Sequence, residues 1–133
     1  MTIAYWCVLI AGLMAPGTVA IAKWGRRDYD NSEPRAWLDK QSGLRRRADY
    51  AHRNHFEAFP FFAAAVIIAH QVHAPQSALD TLAVVFIAAR LVYTLCYLTN
   101  KSSLRSVAWV VGYLAVIALF VLAAITHSVI QTV

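Results

Sequence analysis

Long apolar runs alternate with short polar breaks along the chain. One uncharged stretch runs from Thr2 to Ala22 and another from Ser106 to Val133. Between them, Ala58 to Asp80 carries no charge before Asp80 itself, and Thr81 to Asn100 is interrupted only by Arg90. A bilayer core about 30 Å thick takes roughly 20 helical residues to cross. The pattern therefore predicts four spans, over approximately residues 2–22, 54–74, 78–99 and 106–128. The first reads as a true span and not as a cleaved leader, because MTIAYW has no basic n-region and the run outlasts an ordinary leader's apolar core.

The polar breaks predict the rest of the architecture. Lys23 to Tyr50 contains Gly25, Pro34, the turn-prone DYDN and Gly43, which suits a structured loop over 23–43. A short helix fits near Pro34 to Lys40, since proline is tolerated at a helix start, and Trp37 and Leu38 give it something to pack. From Ser42, a candidate N-cap, the pattern is helical to His73, with roughly three turns projecting before lipid is reached, and Pro75 closes it. TNKSSL is a tight connection with Ser102 and Ser103 as caps, and Gly112 with its neighbouring alanines suits close helix contacts in lipid. The expected fold is all-α: a single membrane domain over 1–133 built as a four-helix bundle.

Composition agrees. The hydrophobic share is 59% and the charged share 14%, against about a quarter charged in soluble proteins. The net charge of +5 does not indicate nucleic acid, because eight of the twelve Lys and Arg residues fall between Lys23 and Arg47. Lys101 and Arg105 flank the last connection, whereas HQVHAPQSALD has no Lys or Arg. By the positive-inside rule both basic connections face the cytoplasm and both termini lie outside it. Cys7 and Cys96 fall at opposite depths, so they read as small buried hydrophobes and not as a disulfide.

Ionisable side chains inside a membrane cost about 2.5–3.5 kcal/mol each on insertion scales, so Glu57 and Arg90 stand out. Arg47 to Glu57 and Arg90 to Asn100 are each ten residues, which puts both groups roughly 15 Å along their helices from the loop-side border. Opposite charges at one depth are expected to lie close together. Tyr50, Asn54 and Glu57 form one helical stripe, with Arg46 or Arg47 a turn below; Phe86, Arg90, Tyr93 and Tyr97 form another. Around a cleft these donors would suit a small anion with more than one carboxylate. The competing reading is that they only hold helices together, with the tyrosines in an interfacial belt. His52 with His55, and His70 with His73, sit three apart, yet neither pair is completed to the three or four ligands zinc needs, and interfacial histidines are expected.

Two segments carry a family resemblance. AHRNHFEAFPFF resembles the second-helix signature of the MAPEG proteins (membrane-associated proteins in eicosanoid and glutathione metabolism), an N-x-x-E followed by proline. RLVYTLCYLTNKSSLR is similar to their third-helix segment R-x-x-Y-x-x-x-Y, with an arginine opening the last helix. The resemblance implies a bacterial-type homotrimer in an inner membrane, binding glutathione between subunits near the cytoplasmic side and meeting lipophilic small-molecule electrophiles there. It implies that Asn54 and Glu57 hold the peptide part of glutathione, that Arg90, Tyr93 and Tyr97 line the pocket, and that Arg105 stabilises the thiolate. Two positions depart from the pattern: Tyr50 stands where family enzymes place an arginine that grips a carboxylate, and Ala58 where an aromatic residue often follows the glutamate. Arg53 points about 100° away from Asn54 around the helix, which leaves Arg46, Arg47, Arg26 or Arg27 to supply that charge. The implied activity is glutathione-dependent transfer or peroxide reduction; the alternative is a non-catalytic member that binds a lipid or a partner protein. A small transporter is disfavoured, since spans one and four carry no polar stripe.

Overall fold

The structure, a computed structural model, describes residues 1–131, with side chains through Ser128; the end of the last apolar run, Thr132 and Val133, lies outside the described residues. The helices are α1 (Ile3–Lys23), α2 (Pro34–Asp39), α3 (Gly43–Gln71), α4 (Gln76–Leu98) and α5 (Ser102–Gln131). α1, α4 and the described part of α5 are long and apolar enough to cross a membrane. The chain is an all-α, multi-span integral membrane protein. α3 is as long, but its first half carries Arg45, Arg46, Arg47, Asp49, Arg53 and Glu57.

Both ends of α1 are held by groups from other helices, whereas α3, α4 and α5 are bounded by local backbone bonds. Thr2 Oγ1 accepts from Tyr5 N at 3.4 Å, and Asp80 Oδ1 of α4 accepts from Ala4 N at 2.8 Å, so α1 is capped across the fold. At its other end Arg45 Nη1 donates to Ala22 O at 2.8 Å and Trp24 O at 3.2 Å. Ser42 occupies the N-cap place of α3, although its side chain makes no capping bond. α3 stops at Gln71, short of the expected His73, because His73 takes a left-handed conformation (φ 58°) and Ala74 N returns to Ala69 O at 3.0 Å. Asn100 (φ 61°) closes α4 the same way, with Lys101 N on Cys96 O at 2.8 Å. The carbonyl of Lys101, not the expected serines, opens α5: it accepts from Arg105 N at 3.0 Å, and Ser102 and Ser103 fall inside the first turn.

α3 and α4 touch each other, and each also packs on α1 and α5. α1 turns a face of Ala4, Cys7, Ala11, Ala15, Thr18 and Ala22 inward, small residues that let backbones approach closely. Phe62 of α3 stacks on Phe86 of α4 with ring centroids 3.9 Å apart, inside a core that includes Val66, Leu79 and Leu119. Leu13, Leu95, Val107 and Ile125 point outward, as lipid-facing side chains do. On the loop side, α2 buries Trp37 and Leu38 against Ala22 and Ala48. Arg53, between Asp39 (2.8 Å) and Asp49 (2.9 Å), pins α2 to α3.

Candidate functional site

Helical phase brings the polar stripes of α3 and α4 together. Arg90 is 3% exposed; its Nη1 donates to Asn54 Oδ1 at 2.9 Å, and its guanidinium lies over the Tyr93 ring, 4.3 Å from the centroid. Asn54 Nδ2 in turn donates to Glu57 Oε2 at 2.8 Å. Glu57 and Arg90 thus share one cavity and are linked through the Asn54 amide; no direct ion pair joins them among the described residues.

His55 is the correction to the sequence reading. Expected at an interface, it is buried between α3 and α4, 3% exposed. Arg90 Nη2 lies 2.9 Å from His55 Nδ1, and a guanidinium can only donate, so Nδ1 accepts. The proton is then on Nε2, which donates to Thr94 Oγ1 at 2.9 Å, while Thr94 Oγ1 donates to Arg90 O at 2.9 Å. The closed loop of bonds fixes the imidazole tautomer and the Arg90 rotamer together. The signal for His55 was its phase: it stands four residues after buried Ala51 and seven before buried Phe62.

The remaining expected residues continue the string. Tyr93 meets Tyr97 edge-on at 5.2 Å, and Arg105 lies over the Tyr97 ring at 4.5 Å. Arg105, Trp109 and Tyr113 step by four along α5, and the last two rings stack at 5.1 Å. Trp109, Tyr113 and Gly112 had not been singled out as site residues, although the four-residue step was readable.

A cavity of about 220 Å³ opens between α3, α4 and α5. Asn54, Glu57 and Arg90 form its polar wall; Phe61, Phe86, Trp109 and Tyr113 form the apolar one. Arg90 Nε is buried with no hydrogen-bond partner. An orphaned donor beside an exposed carboxylate and a half-buried amide fits a ligand that has both carboxylate and ammonium or amide groups. The volume falls below the roughly 300 Å³ at which drug-sized pockets begin. Tyr93, Tyr97 and Arg105 do not line the cavity.

The arginines around Tyr50 already have partners. Arg46 lies over the Tyr50 ring at 5.6 Å while its Nε donates to Gln41 O at 3.0 Å and its Nη2 to Asp39 O. Arg47 Nη2 donates to Leu98 O at 3.2 Å, Arg53 is held by Asp39 and Asp49, and Arg26 by Asp28. The paired histidines diverge: His52 Nδ1 lies 2.8 Å from Ala15 O on α1, whereas His55 faces α4. No group of three potential metal ligands occurs among the described residues. Both cysteines are buried and free.

A family model described as the MAPEG family matches residues 3–125. No curated protein and no solved structure matches the chain.

Proposed function

Since the chain belongs to the MAPEG family, we propose that it is a glutathione-dependent transferase or peroxidase acting on lipophilic electrophiles. The observation that carries this reading is the continuous string from Glu57 through Asn54, Arg90, Tyr93 and Tyr97 to Arg105, with the unpartnered Arg90 Nε beside a cavity. In this reading Asn54 and Glu57 bind the amide and ammonium groups of glutathione, and Arg90 takes a carboxylate or carbonyl oxygen. Tyr93 and Tyr97 line the passage toward Arg105. A free thiol titrates near pH ~8.5, and a guanidinium nearby favours the thiolate. Arg105 supplies that cation at the start of α5, where an electrophile dissolved in lipid can reach the sulfur. The thiolate forms the new bond to carbon as the leaving group departs with its electron pair.

Four spans, α3 included, fit this reading, with the basic connections in the cytoplasm and both termini outside, in an inner membrane of bacterial type. A homotrimer is supported in this reading by the resemblance to MAPEG proteins. It would also cover Glu57, which in a single subunit is exposed at a level where α3 is entering lipid.

The test is calorimetry with glutathione in detergent, followed by turnover of a reactive aryl halide and a lipid hydroperoxide by the native chain and Arg105→Ala. Binding in both proteins with turnover reduced at least roughly tenfold in the variant supports the reading, since one pKa unit of thiol activation is worth that much. Absence of binding in the native chain ends it. One observation favours the second reading, a non-catalytic member binding a lipid or partner: Tyr50 leaves no cation at the carboxylate-gripping place, and Arg46, Arg47 and Arg53 are engaged elsewhere. Native mass spectrometry showing a retained lipid without thiol chemistry would select it.

A further inference from the structure

A second cavity, about 1070 Å³, lies where α1 leaves the membrane, between the end of α1, α2 and the start of α3. It shares no lining residue with the Arg90 cavity. Its walls divide by chemistry. Lys40, Gln41, Arg45 and the Arg26–Asp28 pair stand at the loop end with Leu44 beside them, while Gly17 and Ile21 lie farther along α1 on the membrane side. Leu13, Gly17, Ile21 and Trp24 step by four, four and three along one exposed face of α1, so the apolar wall runs on into the lipid-facing surface. A Cβ placed on Gly17 would meet nothing within 4 Å, which makes that face an open furrow.

The charged residues lining the loop end, Arg26, Asp28, Lys40 and Arg45, leave a positive surplus. Arg26 is neutralised by Asp28, whose carboxyl the guanidinium holds below the usual range. Lys40 makes no ion pair within 4 Å among the described residues, and Asp30 is the carboxylate that feels its charge. Arg45 is anchored by Nη1 to the Ala22 and Trp24 carbonyls, and its Nε and Nη2 make no hydrogen bond among the described residues. A guanidinium held in place before binding loses little freedom when an anion arrives. A soluble anion would make no use of Ile21, Leu44 or the Gly17 furrow, whereas an amphiphile anchored at the bilayer border uses both walls.

We propose that this cavity binds the phosphodiester headgroup of one anionic glycerophospholipid, on Lys40 and Arg45, with an acyl chain laid along the Gly17 furrow of α1. The site stands apart from the glutathione reading and does not depend on it.

The full chain, purified in micelles doped equally with phosphatidylglycerol and phosphatidylcholine, is examined by native mass spectrometry. Phosphatidylglycerol is expected to be retained over phosphatidylcholine by roughly an order of magnitude, and Lys40→Gln to reduce that retention about fivefold, the effect of one membrane-surface cation. Gly17→Leu, which enters open space inside α1 and so should not lower the unfolding temperature, is expected to lower retention of the acylated ligand as well. Excess inorganic phosphate should not displace it. Equal retention of the two lipids, unchanged retention in both variants, or full displacement by inorganic phosphate would each overturn the proposal, the last by showing a site for a soluble anion.

Discussion

Around Phe62 and Leu79 the helices are joined by close-packed apolar side chains, whereas around Arg90 α3 and α4 are tied by directed hydrogen bonds among Arg90, Asn54, His55 and Thr94. At the end away from the loop, polar ties are few: Asp80 receives Ala4 N and Gln76 Nε2, both at 2.8 Å. The loop-side half holds every buried side-chain atom lacking a hydrogen-bond partner among the described residues: Arg47 Nε, Asp49 Oδ2 and Arg90 Nε. Asp49 Oδ2 is 2.9 Å from Arg53 Nη2, but as an ion pair outside hydrogen-bond geometry. Of the three only Arg90 Nε lies within the apolar run of α4, where water does not cover an unmade hydrogen bond and the unpaired donor is costly. The apolar end is built for stability. The Arg90 end is tied by directed polar contacts and leaves buried polar atoms unmatched.

Phe62→Ala gives the largest expected effect. The ring is fully buried and stacked on Phe86, so removing it should cost about 3–5 kcal/mol in reversible unfolding in micelles. Glutathione affinity of the protein that remains folded should hold. A loss under about 1 kcal/mol would mean that packing does not carry this end.

Arg90→Leu should separate the two ends most sharply. It removes hydrogen bonds worth about 1.5–3 kcal/mol each, yet it also relieves the burial of a guanidinium. A net destabilisation of about 2 kcal/mol is expected, together with loss of calorimetric glutathione binding. Destabilisation as large as that of Phe62→Ala, with binding intact, would make Arg90 a structural tie and dissolve the contrast.

The two ends also differed in how far the sequence exposed them. Span lengths are legible because a bilayer imposes a length, and α1, α4 and α5 follow their apolar runs closely. Pro34 marked α2 for the same local reason. Counting residues placed Glu57 and Arg90 at one depth, but depth is an axial coordinate. Whether two side chains touch depends on rotation and on what lies between them, and there Asn54 intervenes. His55 follows Asn54 by one residue and so points about 100° around the helix, into the Arg90 network instead of along the Asn54 stripe. A histidine beside a membrane border has the same local sequence in either setting; only the run of buried Ala48, Ala51 and Phe62 distinguishes them. The α5 wall of the cavity depends on helix packing that no single segment encodes.

Asp80→Ala tests the polar tie at the apolar end. Losing the carboxylate that caps α1 should cost about 1 kcal/mol. Because Asp80 and Arg90 have no partner in common, the double variant should show the sum of the two losses within about 0.5 kcal/mol. A larger coupling would mean that the two ends act as one unit.

The smallest effect on stability, Gly112→Ala, bears most directly on why the Arg90 end is loosely filled. Gly112 sits inside α5 and lines the cavity. Glycine in a helix interior is worse than alanine by roughly 0.5–1 kcal/mol. The added Cβ would meet Ala89 Cβ at 3.6 Å, Phe86 Cδ2 at 3.8 Å and Arg90 Cδ at 3.9 Å, all ordinary contacts. Sterics therefore do not require glycine here, and the variant should unfold at a slightly higher temperature. If the cavity is a binding site, the same methyl group occupies ligand space beside the Arg90 side chain, so glutathione affinity should fall several-fold as stability rises. Opposite movements of the two measurements would mark Gly112 as a residue kept for the pocket; a rise in stability with unchanged affinity would mean that the ligand does not enter between α4 and α5.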